Sequence, residues 1–236
     1  MNNIFEKHVA HQKGGKSVKI ELKYFIALLS VVCIVLLYFL STLSQPINIE
    51  LSEVPEYEGK QVIVEGTVTE HYTTTYGGHI INIKDMNSEN TSEVIVFVEE
   101  KTTVEYGDRI KATGKVQKYN DEWEIVVNKA RFVKILQKWS NITFPLWQLA
   151  ENPSKYVGIN VNVTGVVDRD YDSYFYLIDS EEKHSIVVYY DSSRFHNFTQ
   201  GDRVSVRGQF VYDEETLRFT ITTKEENHNV SVVERE

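Results

Sequence analysis

Alternating tyrosines are the residues of this 236-residue chain with the clearest potential for ligand chemistry. Tyr174, Tyr176 and Tyr189 occupy outward positions of two predicted strands if Phe175 and Leu177 point inward. Exposed aromatic rings on a strand face can stack against ring-shaped ligands, whereas cross-strand packing of tyrosines is also typical of β-sheets. These three residues are therefore ligand-binding candidates, and the two interpretations are ordinary tyrosine packing and an aromatic ligand platform.

The same parity argument gives three further ligand-binding candidates in the preceding part of the chain. If Ile81 and Ile83 point inward, then Asn82 and Lys84 point outward, and Phe97 joins them from the next strand. We predict that Asn82, Lys84 and Phe97 lie on a ligand-binding face.

No arrangement of residues indicates an enzyme. The sequence has no Ser-His-Asp order, phosphate-binding loop or pair of catalytic carboxylates that stands out from chance. His71 and His79 lie near a predicted ligand loop, but the histidines beyond the N-terminal segment lack the H-x-x-x-H and H-E-x-x-H spacings of metal sites. We therefore predict a non-enzymatic protein with no catalytic residues, no cofactor and no bound metal.

The charge of the chain is distributed unevenly. Five lysines and two glutamates give residues 1–45 a net charge of +3, so the remaining 191 residues must carry −12 for the chain to total −9. Binding of single-stranded nucleic acid requires cations that neutralise phosphates as well as aromatic rings that stack on bases. The acidic balance therefore disfavours a nucleic-acid partner.

Two copies of one ten-residue segment organise the chain. Residues 107–116 (GDRIKATGKV) and 201–210 (GDRVSVRGQF) share Gly, Asp, Arg and a second Gly in register. Apolar residues alternate in both copies, which predicts a strand with one buried face, entered through a Gly-Asp turn. The second glycine falls on the buried side, where a missing side chain lets a strand bend at a barrel corner.

Each copy lies in a unit with five predicted strands and no long helical pattern. The strands are predicted at 62–68, 78–85, 93–99, 107–116 and 122–128 in the first unit and at 159–167, 174–179, 185–191, 201–210 and 216–222 in the second. In the last of these, Leu217, Phe219 and Ile221 are expected to point inward. Five short strands per unit predict a small closed barrel.

Two sequence patterns occur in both units. They are V-x-V-x-G-x-V, at 62–68 and 161–167, and G-D-x-[IV]-x-[AV]-x-G, in both copies of the repeat. These patterns resemble those of OB-fold domains, notably the tRNA-anticodon-binding and single-strand DNA-binding types. The resemblance implies an all-β protein with two tandem five-stranded OB-like barrels, domain 1 at 47–138 and domain 2 at 146–234. The helix that the family usually has between strands three and four is reduced here to short segments.

An apolar run precedes the two units. Residues 24–43 include no charged side chain, and twenty helical residues are enough to cross the ~30 Å hydrocarbon layer of a membrane. Its single cysteine, Cys33, is the only one in the chain, so the domains have no disulfide. The lysine excess ahead of the run predicts a cytoplasmic tail at 1–23, a transmembrane helix at 24–43 and the C-terminal domains outside. The alternative is a cleaved signal peptide, which the length of the tail disfavours.

Five Asn-x-Ser/Thr sequons lie in the part predicted to be outside. Asn90 falls in a predicted turn and Asn141 falls between the two domains, so these two are the predicted glycosylation sites. Asn162 lies within a predicted strand, which makes its modification doubtful.

We predict a membrane-anchored extracytoplasmic protein that binds or scaffolds a protein or glycan partner. The alternative is a nucleic-acid-binding protein, which the OB resemblance implies. A haem or cofactor carrier is a weaker alternative. A membrane-anchored OB barrel is similar to the cytochrome c haem chaperone, but that family's single barrel and its C-terminal His-x-x-x-Tyr are absent here. The sequence identifies neither the ligand nor the oligomeric state.

Overall fold

The computed structural model describes residues 17–43, 45–86, 92–195 and 197–234. The chain divides into two compact units, Met1–Gln45 and Pro46–Glu236. The predicted tail at 1–16 lies outside the described residues.

The first unit contains the helix α1 (Ser17–Leu43). It begins within the segment predicted as a tail, because the Lys, Glu and Leu residues ahead of Tyr24 all have high helix propensity. The stretch Leu22–Ser41 is long and apolar enough to cross a membrane, and its side chains are exposed throughout. Length and composition therefore make α1 a candidate membrane span.

The second unit begins with a closed five-stranded barrel, which we call barrel 1. The strands of its sheet are β1 (Ile47–Asn48), β2 (Gln61–Thr73), β3 (His79–Lys84), β4 (Glu93–Val98), β5 (Arg109–Tyr119), β6 (Glu122–Val127) and β7 (Val133–Gln137). Their order is β1-β2-β3-β4-β6-β5-β7, and an additional pairing of β2 with β5 closes strands β2 to β6 into the barrel. Within the barrel the pairs are antiparallel except β4–β6, which is parallel. This is the strand order of the OB fold.

Barrel 2 repeats the arrangement. Its strands are β8 (Phe144–Pro145), β9 (Asn160–Asp170), β10 (Tyr174–Ile178), β11 (Ser185–Tyr189), β12 (Arg203–Asp213), β13 (Arg218–Thr222) and β14 (Asn229–Glu234). The order is β14-β12-β13-β11-β10-β9-β8, with closure between β12 and β9 and a parallel pair between β11 and β13. The predicted fold class, two tandem five-stranded OB-like barrels behind one apolar helix, is confirmed.

The repeated Gly-Asp-x-x motif forms the turn that leads into the fourth barrel strand. Gly107 and Gly201 have φ values of 86° and 93°, which side chains other than glycine rarely adopt. Asp108 and Asp202 are buried, and the carboxylate of Asp108 accepts the backbone N–H of Glu105 at 3.0 Å. The two residue types therefore fix a left-handed turn and satisfy the backbone donor it exposes.

The second glycine of the motif allows close packing of neighbouring strands. A Cβ on Gly114 would lie 2.5 Å from the carbonyl oxygen of Val126, and one on Gly208 would lie 2.6 Å from Cγ2 of Ile221. The predicted role of this glycine at a barrel corner agrees with the tight approach of the fourth and fifth strands.

Each barrel has its own apolar core, closed at one end by a short helical segment. The 3₁₀ helix Leu51–Tyr57 places Leu51 and Val54 in the core of barrel 1, and α2 (Leu146–Glu151) places Leu146 and Leu149 in the core of barrel 2. The remaining 3₁₀ helices are Ala130–Phe132, Trp139–Asn141 and Pro153–Lys155. The short helical segment that precedes the first long strand of each barrel therefore closes one end of that barrel.

The structure also departs from the sequence prediction. All ten predicted strands are present, but each sheet has two more. β7 and β14 pair with β5 and β12, and the two-residue strands β1 and β8 pair with β2 and β9. The prediction that Leu217 points inward is wrong: this residue lies in the turn before β13 with φ of 53° and is 75% exposed. The described residues between strands three and four of each barrel contain no helix, as expected.

Trp139 joins the two barrels. Its side chain is 2% exposed, and its Nε1 donates to Glu105 Oε2 of barrel 1 at 2.7 Å. Its ring is perpendicular to that of His228 of barrel 2, at a centroid distance of 6.1 Å. A Cβ on Gly107 would lie 2.5 Å from the carbonyl oxygen of Asn160 in barrel 2. The domain limits at 138 and 146 remain predictions, because the segment between them is part of this packed junction.

Candidate functional site

The predicted aromatic residues lie together on the outer face of barrel 2. Tyr174 and Tyr176 lie on β10, and Tyr189 lies directly opposite Tyr174 on β11. Phe175 and Leu177, which alternate with Tyr174 and Tyr176 along β10, are fully buried, whereas Tyr189 is 38% exposed. The alternation thus places all three rings outward, and their role in ligand binding stays a prediction.

A fourth tyrosine completes the group. Tyr171, in the turn between β9 and β10, stacks on Tyr174 with a centroid distance of 4.6 Å and an interplanar angle of 22°. Tyr174 meets Tyr176 edge-on and Tyr189 at a tilt, both at 6.0 Å. We call Tyr171, Tyr174, Tyr176 and Tyr189 the tyrosine platform. Sequence reasoning missed Tyr171 because no strand parity applies in a turn; an aromatic residue amid Asp170, Asp172 and Ser173 was the available signal.

An arginine extends the platform. Arg169 Cζ lies 4.5 Å from the centroid of Tyr176, and its Nε donates to Asp168 Oδ2 at 3.0 Å. The guanidinium cation of Arg169 therefore lies over the half-buried ring of Tyr176. Strand parity does not predict this contact, because a register shift between β9 and β10 at Tyr176/Leu177 alters the parity of β9.

The turn that carries Tyr171 is anchored from below by Tyr190. The hydroxyl of this buried residue lies 3.0 Å from Asp170 Oδ1 and 2.9 Å from the carbonyl oxygen of Tyr171. Burial, together with the hydrogen bond to Asp170, raises the pKa of Tyr190 well above its ordinary value, so the hydroxyl stays protonated and continues to donate.

Charges of both signs surround the platform. A pocket of about 250 Å³ beside Tyr189 is also lined by Asp191, Arg194 and Lys224. The cations around the platform are Arg169, Arg194 and Lys224, and the carboxylates are Asp168, Asp170, Asp172 and Asp191. Hydrogen bonds from Ser193 lower the pKa of Asp191, which therefore remains ionised. The platform lies among nearly balanced charges.

The three candidates in barrel 1 do not converge. Asn82 lines a pocket of about 480 Å³ with Tyr72 and Trp123, whereas Lys84 lines a separate cleft and Phe97 lies against Gly78. Asn82 Nδ2 donates to Glu70 Oε2 at 3.0 Å, and its buried Oδ1 has no hydrogen-bond partner among the described residues. Asn82, Lys84 and Phe97 as ligand-binding residues remain predictions.

The strand registers show what barrel 1 has in place of the platform. The directly opposed pair Tyr174 and Tyr189 of barrel 2 corresponds to Ile80 and Phe97 in barrel 1, and Tyr176 corresponds to Asn82. The face of barrel 1 described by the structure therefore has no continuous set of stacked tyrosines. The two barrels share a fold but present different chemistry on the same face.

The separate cleft that includes Lys84 has a volume of about 730 Å³. Among its lining residues, Lys111 Nζ lies 2.8 Å from Glu65 Oε1 and Arg109 Nη2 lies 3.1 Å from Glu65 Oε2. The hydrogen bond from Lys111 is the main cause that lowers the pKa of Glu65. The arginine of the repeated motif thus takes part, in barrel 1, in a cross-strand ion-pair group.

Two histidines form a hydrogen-bonded pair in barrel 1. His71 Nε2 and His79 Nδ1 are 2.8 Å apart, and His79 is buried. Burial, with a smaller contribution from His79, lowers the pKa of His71, which favours its neutral form at neutral pH. Within the described residues no group of three or more His, Cys, Asp or Glu side chains is arranged to hold a metal ion.

The sequons differ in accessibility. Asn141 is exposed at the end of the 3₁₀ helix Trp139–Asn141, and Asn90 lies outside the described residues. Asn162 is 1% exposed, and its Nδ2 donates to Thr143 Oγ1 at 2.8 Å. Glycosylation at Asn90 and Asn141 stays a prediction, whereas Asn162 holds the inter-barrel segment against β9.

Comparison with solved structures finds OB-fold proteins of low sequence identity. No protein-family model and no curated protein matches the chain. The second OB-fold domain of replication protein A from Methanococcus maripaludis is 17% identical over 39% of this chain and 97% of its own, with a TM-score of 0.29. The single-stranded DNA-binding protein from Thermus aquaticus is 16% identical over 75% of this chain and 93% of its own, with a TM-score of 0.26.

A murine DNA-binding protein whose structure contains double-stranded DNA is 13% identical over 74% of this chain and 96% of its own, with a TM-score of 0.33. Scores and identities this low carry no information on the ligand. What identifies the fold of this chain is its own strand order, and the chain is a tandem OB-fold protein.

Proposed function

We propose that this protein is a non-enzymatic binding protein that holds an oligosaccharide on the tyrosine platform of barrel 2. The observation that carries the proposal is the contiguous contact of Tyr171, Tyr174, Tyr176 and Tyr189 on one exposed face. OB folds bind oligonucleotides and oligosaccharides on the face formed by strands two and three, which in barrel 2 are β10 and β11. Successive tyrosines can stack against successive rings of such a ligand.

The balance of charge favours a neutral ligand. Three cations and four carboxylates surround the platform, and the carboxylates Asp168 and Asp170 lie next to Arg169 and Tyr171. Carboxylate, guanidinium and hydroxyl groups can all hydrogen-bond to sugar hydroxyls, whereas a phosphate backbone requires a clear excess of cations. The net charge of −12 on residues 46–236 adds long-range repulsion of polyanions.

Single-stranded nucleic acid is the second candidate. The position of the platform favours it, because OB-fold proteins stack bases on aromatic side chains of this face. Arg169, Arg194 and Lys224 are three cations within the same region. The two candidates differ in salt dependence: phosphate binding releases counterions and weakens steeply with salt, whereas stacking on neutral sugars does not.

We propose further that α1 anchors the protein in a membrane, with the barrels outside the cytoplasm. The support is the apolar stretch Leu22–Ser41 and the lysine excess that precedes it. Protease added to intact cells should digest residues 46–236. Complete protection of these residues would contradict the proposed orientation.

The binding experiment uses the full chain in detergent micelles. Neutral oligosaccharides on an array, and labelled twelve-residue oligothymidylate in solution, are tested at about 50 and about 500 mM NaCl. We expect saccharide binding that changes little with salt and no oligonucleotide binding at the higher salt.

Replacing Tyr174 and Tyr176 with Ala should abolish saccharide binding, because stacking is worth ~1–3 kcal/mol per ring. Tyr119→Ala is the matched control, since Tyr119 is a 62% exposed tyrosine of barrel 1. Oligonucleotide binding that weakens with salt and requires the tyrosine platform would establish the second candidate instead.

A further inference from the structure

A loop of barrel 2 is attached to barrel 1 at the junction around Trp139. Residues Lys224–His228, between β13 and β14, are called here the latch loop. Asn227 Nδ2 donates to Glu105 Oε2 of barrel 1 at 3.1 Å, and the same oxygen accepts Trp139 Nε1 at 2.7 Å. The rings of His228 and Trp139 are perpendicular to each other, with centroids 6.1 Å apart. One carboxylate of barrel 1 therefore holds both the linking tryptophan and the loop.

The other end of the latch loop meets the tyrosine platform. Thr223, the residue before the loop, donates its backbone N–H and its Oγ1–H to the carbonyl oxygen of Tyr189, at 3.0 and 3.2 Å. Thr223 is 1% exposed. Lys224 lies in the same small pocket as Tyr189. The backbone that carries the ring of Tyr189 is thus fixed by the residue from which the loop departs.

The loop is internally ordered, so that a restraint at one end reaches the other. His228 Nδ1 accepts the backbone N–H of Glu225 at 3.2 Å, and His228 Nε2 lies 3.2 Å from Asn160 Oδ1. Arg194 Nη2 donates to the carbonyl oxygen of Glu225 at 3.2 Å. These bonds span the loop from its second residue to its last.

We infer that Glu105 is a positioning residue for the ligand site of the other barrel: through the latch loop it holds Tyr189 in the tyrosine platform. This inference rests on the proposed function for its effect on binding, but the restraint itself is independent of any ligand. It assigns a role to barrel 1, whose own face lacks a tyrosine platform within the described residues. Barrel 1 sets the geometry of the site, and barrel 2 supplies the rings.

Hydrogen exchange at single amides of the full chain tests the restraint, because the Thr223 amide donates to Tyr189 and reports on that contact directly. Glu105→Ala should speed exchange at Thr223 and in the latch loop by roughly tenfold, since it removes a charged acceptor of two hydrogen bonds. The matched control is Glu100→Ala, which removes a barrel 1 carboxylate that is bonded to Lys129 at 2.8 Å, away from the loop. The control should leave Thr223 exchange unchanged.

Two further variants separate positioning from general stability. Glu105→Gln keeps an acceptor oxygen for Trp139 and Asn227 and should restore slow exchange at Thr223. Asn227→Ala removes an exposed side chain and leaves the Trp139 bond intact, so it should speed latch-loop exchange without lowering the stability of the barrels. Unchanged Thr223 exchange in both Glu105→Ala and Asn227→Ala would overturn the inference.

Binding of the best saccharide from the array gives the second measurement. We expect Glu105→Ala to weaken it several-fold and Glu105→Gln to leave it near the wild-type value. Faster Thr223 exchange in Glu105→Ala, together with a wild-type protein that binds no saccharide, would reject the proposed function and retain the restraint. Full saccharide affinity in Glu105→Ala, with exchange at Thr223 also unchanged, would reject the inference and retain the proposed function.

Discussion

Replacement of Trp139 with Ala is the most direct perturbation of the junction between the barrels. The side chain is 2% exposed, and complete burial of a tryptophan removes on the order of 200 Å² from water, worth about 5 kcal/mol at ~25 cal/mol per Å². Measured Trp→Ala substitutions in cores cost ~3–5 kcal/mol. Glu105 adds little to this loss, because its carboxylate is 40% exposed and water can replace the indole N–H.

The assay is equilibrium unfolding in urea, followed by far-ultraviolet circular dichroism. We expect the wild-type Pro46–Glu236 unit to unfold in one transition. Trp139→Ala should lower the free energy of unfolding by ~3–5 kcal/mol. It should also separate unfolding into two transitions, because the barrels lose the side chain that couples them. Trp147→Ala is the matched control: this tryptophan is 46% exposed, and its replacement should cost less than about 1 kcal/mol. A loss in Trp139→Ala no larger than that in the control would refute the junction described here.

Three other predictions concern packing, pH and modification. Gly114→Ala should lower the free energy of unfolding by ~1–3 kcal/mol in a urea titration, because its Cβ would overlap the Val126 carbonyl oxygen; an unchanged midpoint would contradict the close strand approach. Burial lowers the pKa of His228 below its ordinary 6.5, so the unfolded chain takes up a proton first as the pH falls. The contribution of His228 to folding stability is therefore fully present above about pH 6.5 and declines below it. His228→Ala should show a smaller difference in melting temperature between about pH 7.5 and 5.5 than the wild type. In cells that glycosylate Asn-x-Ser/Thr, Asn141→Gln should increase gel mobility and Asn162→Gln should not, since only Asn141 is exposed; equal shifts would show that accessibility does not govern their modification.

Alternation of apolar residues was enough to predict the barrels, because each of their ten strands has one face in a core. It did not predict β7 and β14, which add to the outside of β5 and β12 and contribute few core contacts: Val133 and Ile135 in β7, and Val230 and Val232 in β14, pack against the two cores. Alternation with Phe219 predicts a strand position for Leu217. A left-handed turn places it in solvent instead.

The candidate site was predictable only where it follows strand parity. Tyr174, Tyr176 and Tyr189 lie on regular strands, so their outward direction was available from the sequence. Tyr171 and Arg169 join them through a turn and a register shift, which parity cannot describe. The same limit applies to Trp139: its segment has the composition of a linker, and only tertiary contacts show that it is buried between two barrels.

Gly107 has a consequence for how a protein built by duplication acquires a fixed domain arrangement. A single barrel already requires glycine there, since the turn ahead of its fourth strand has a positive φ. In the tandem protein the bare backbone at this residue also receives Asn160 of the second copy, at a distance that leaves no room for a Cβ. A residue demanded by the fold of one copy thus provides, without any further change, a contact point for the other. The interface between duplicated domains can begin at a position that selection for folding already keeps free of a side chain.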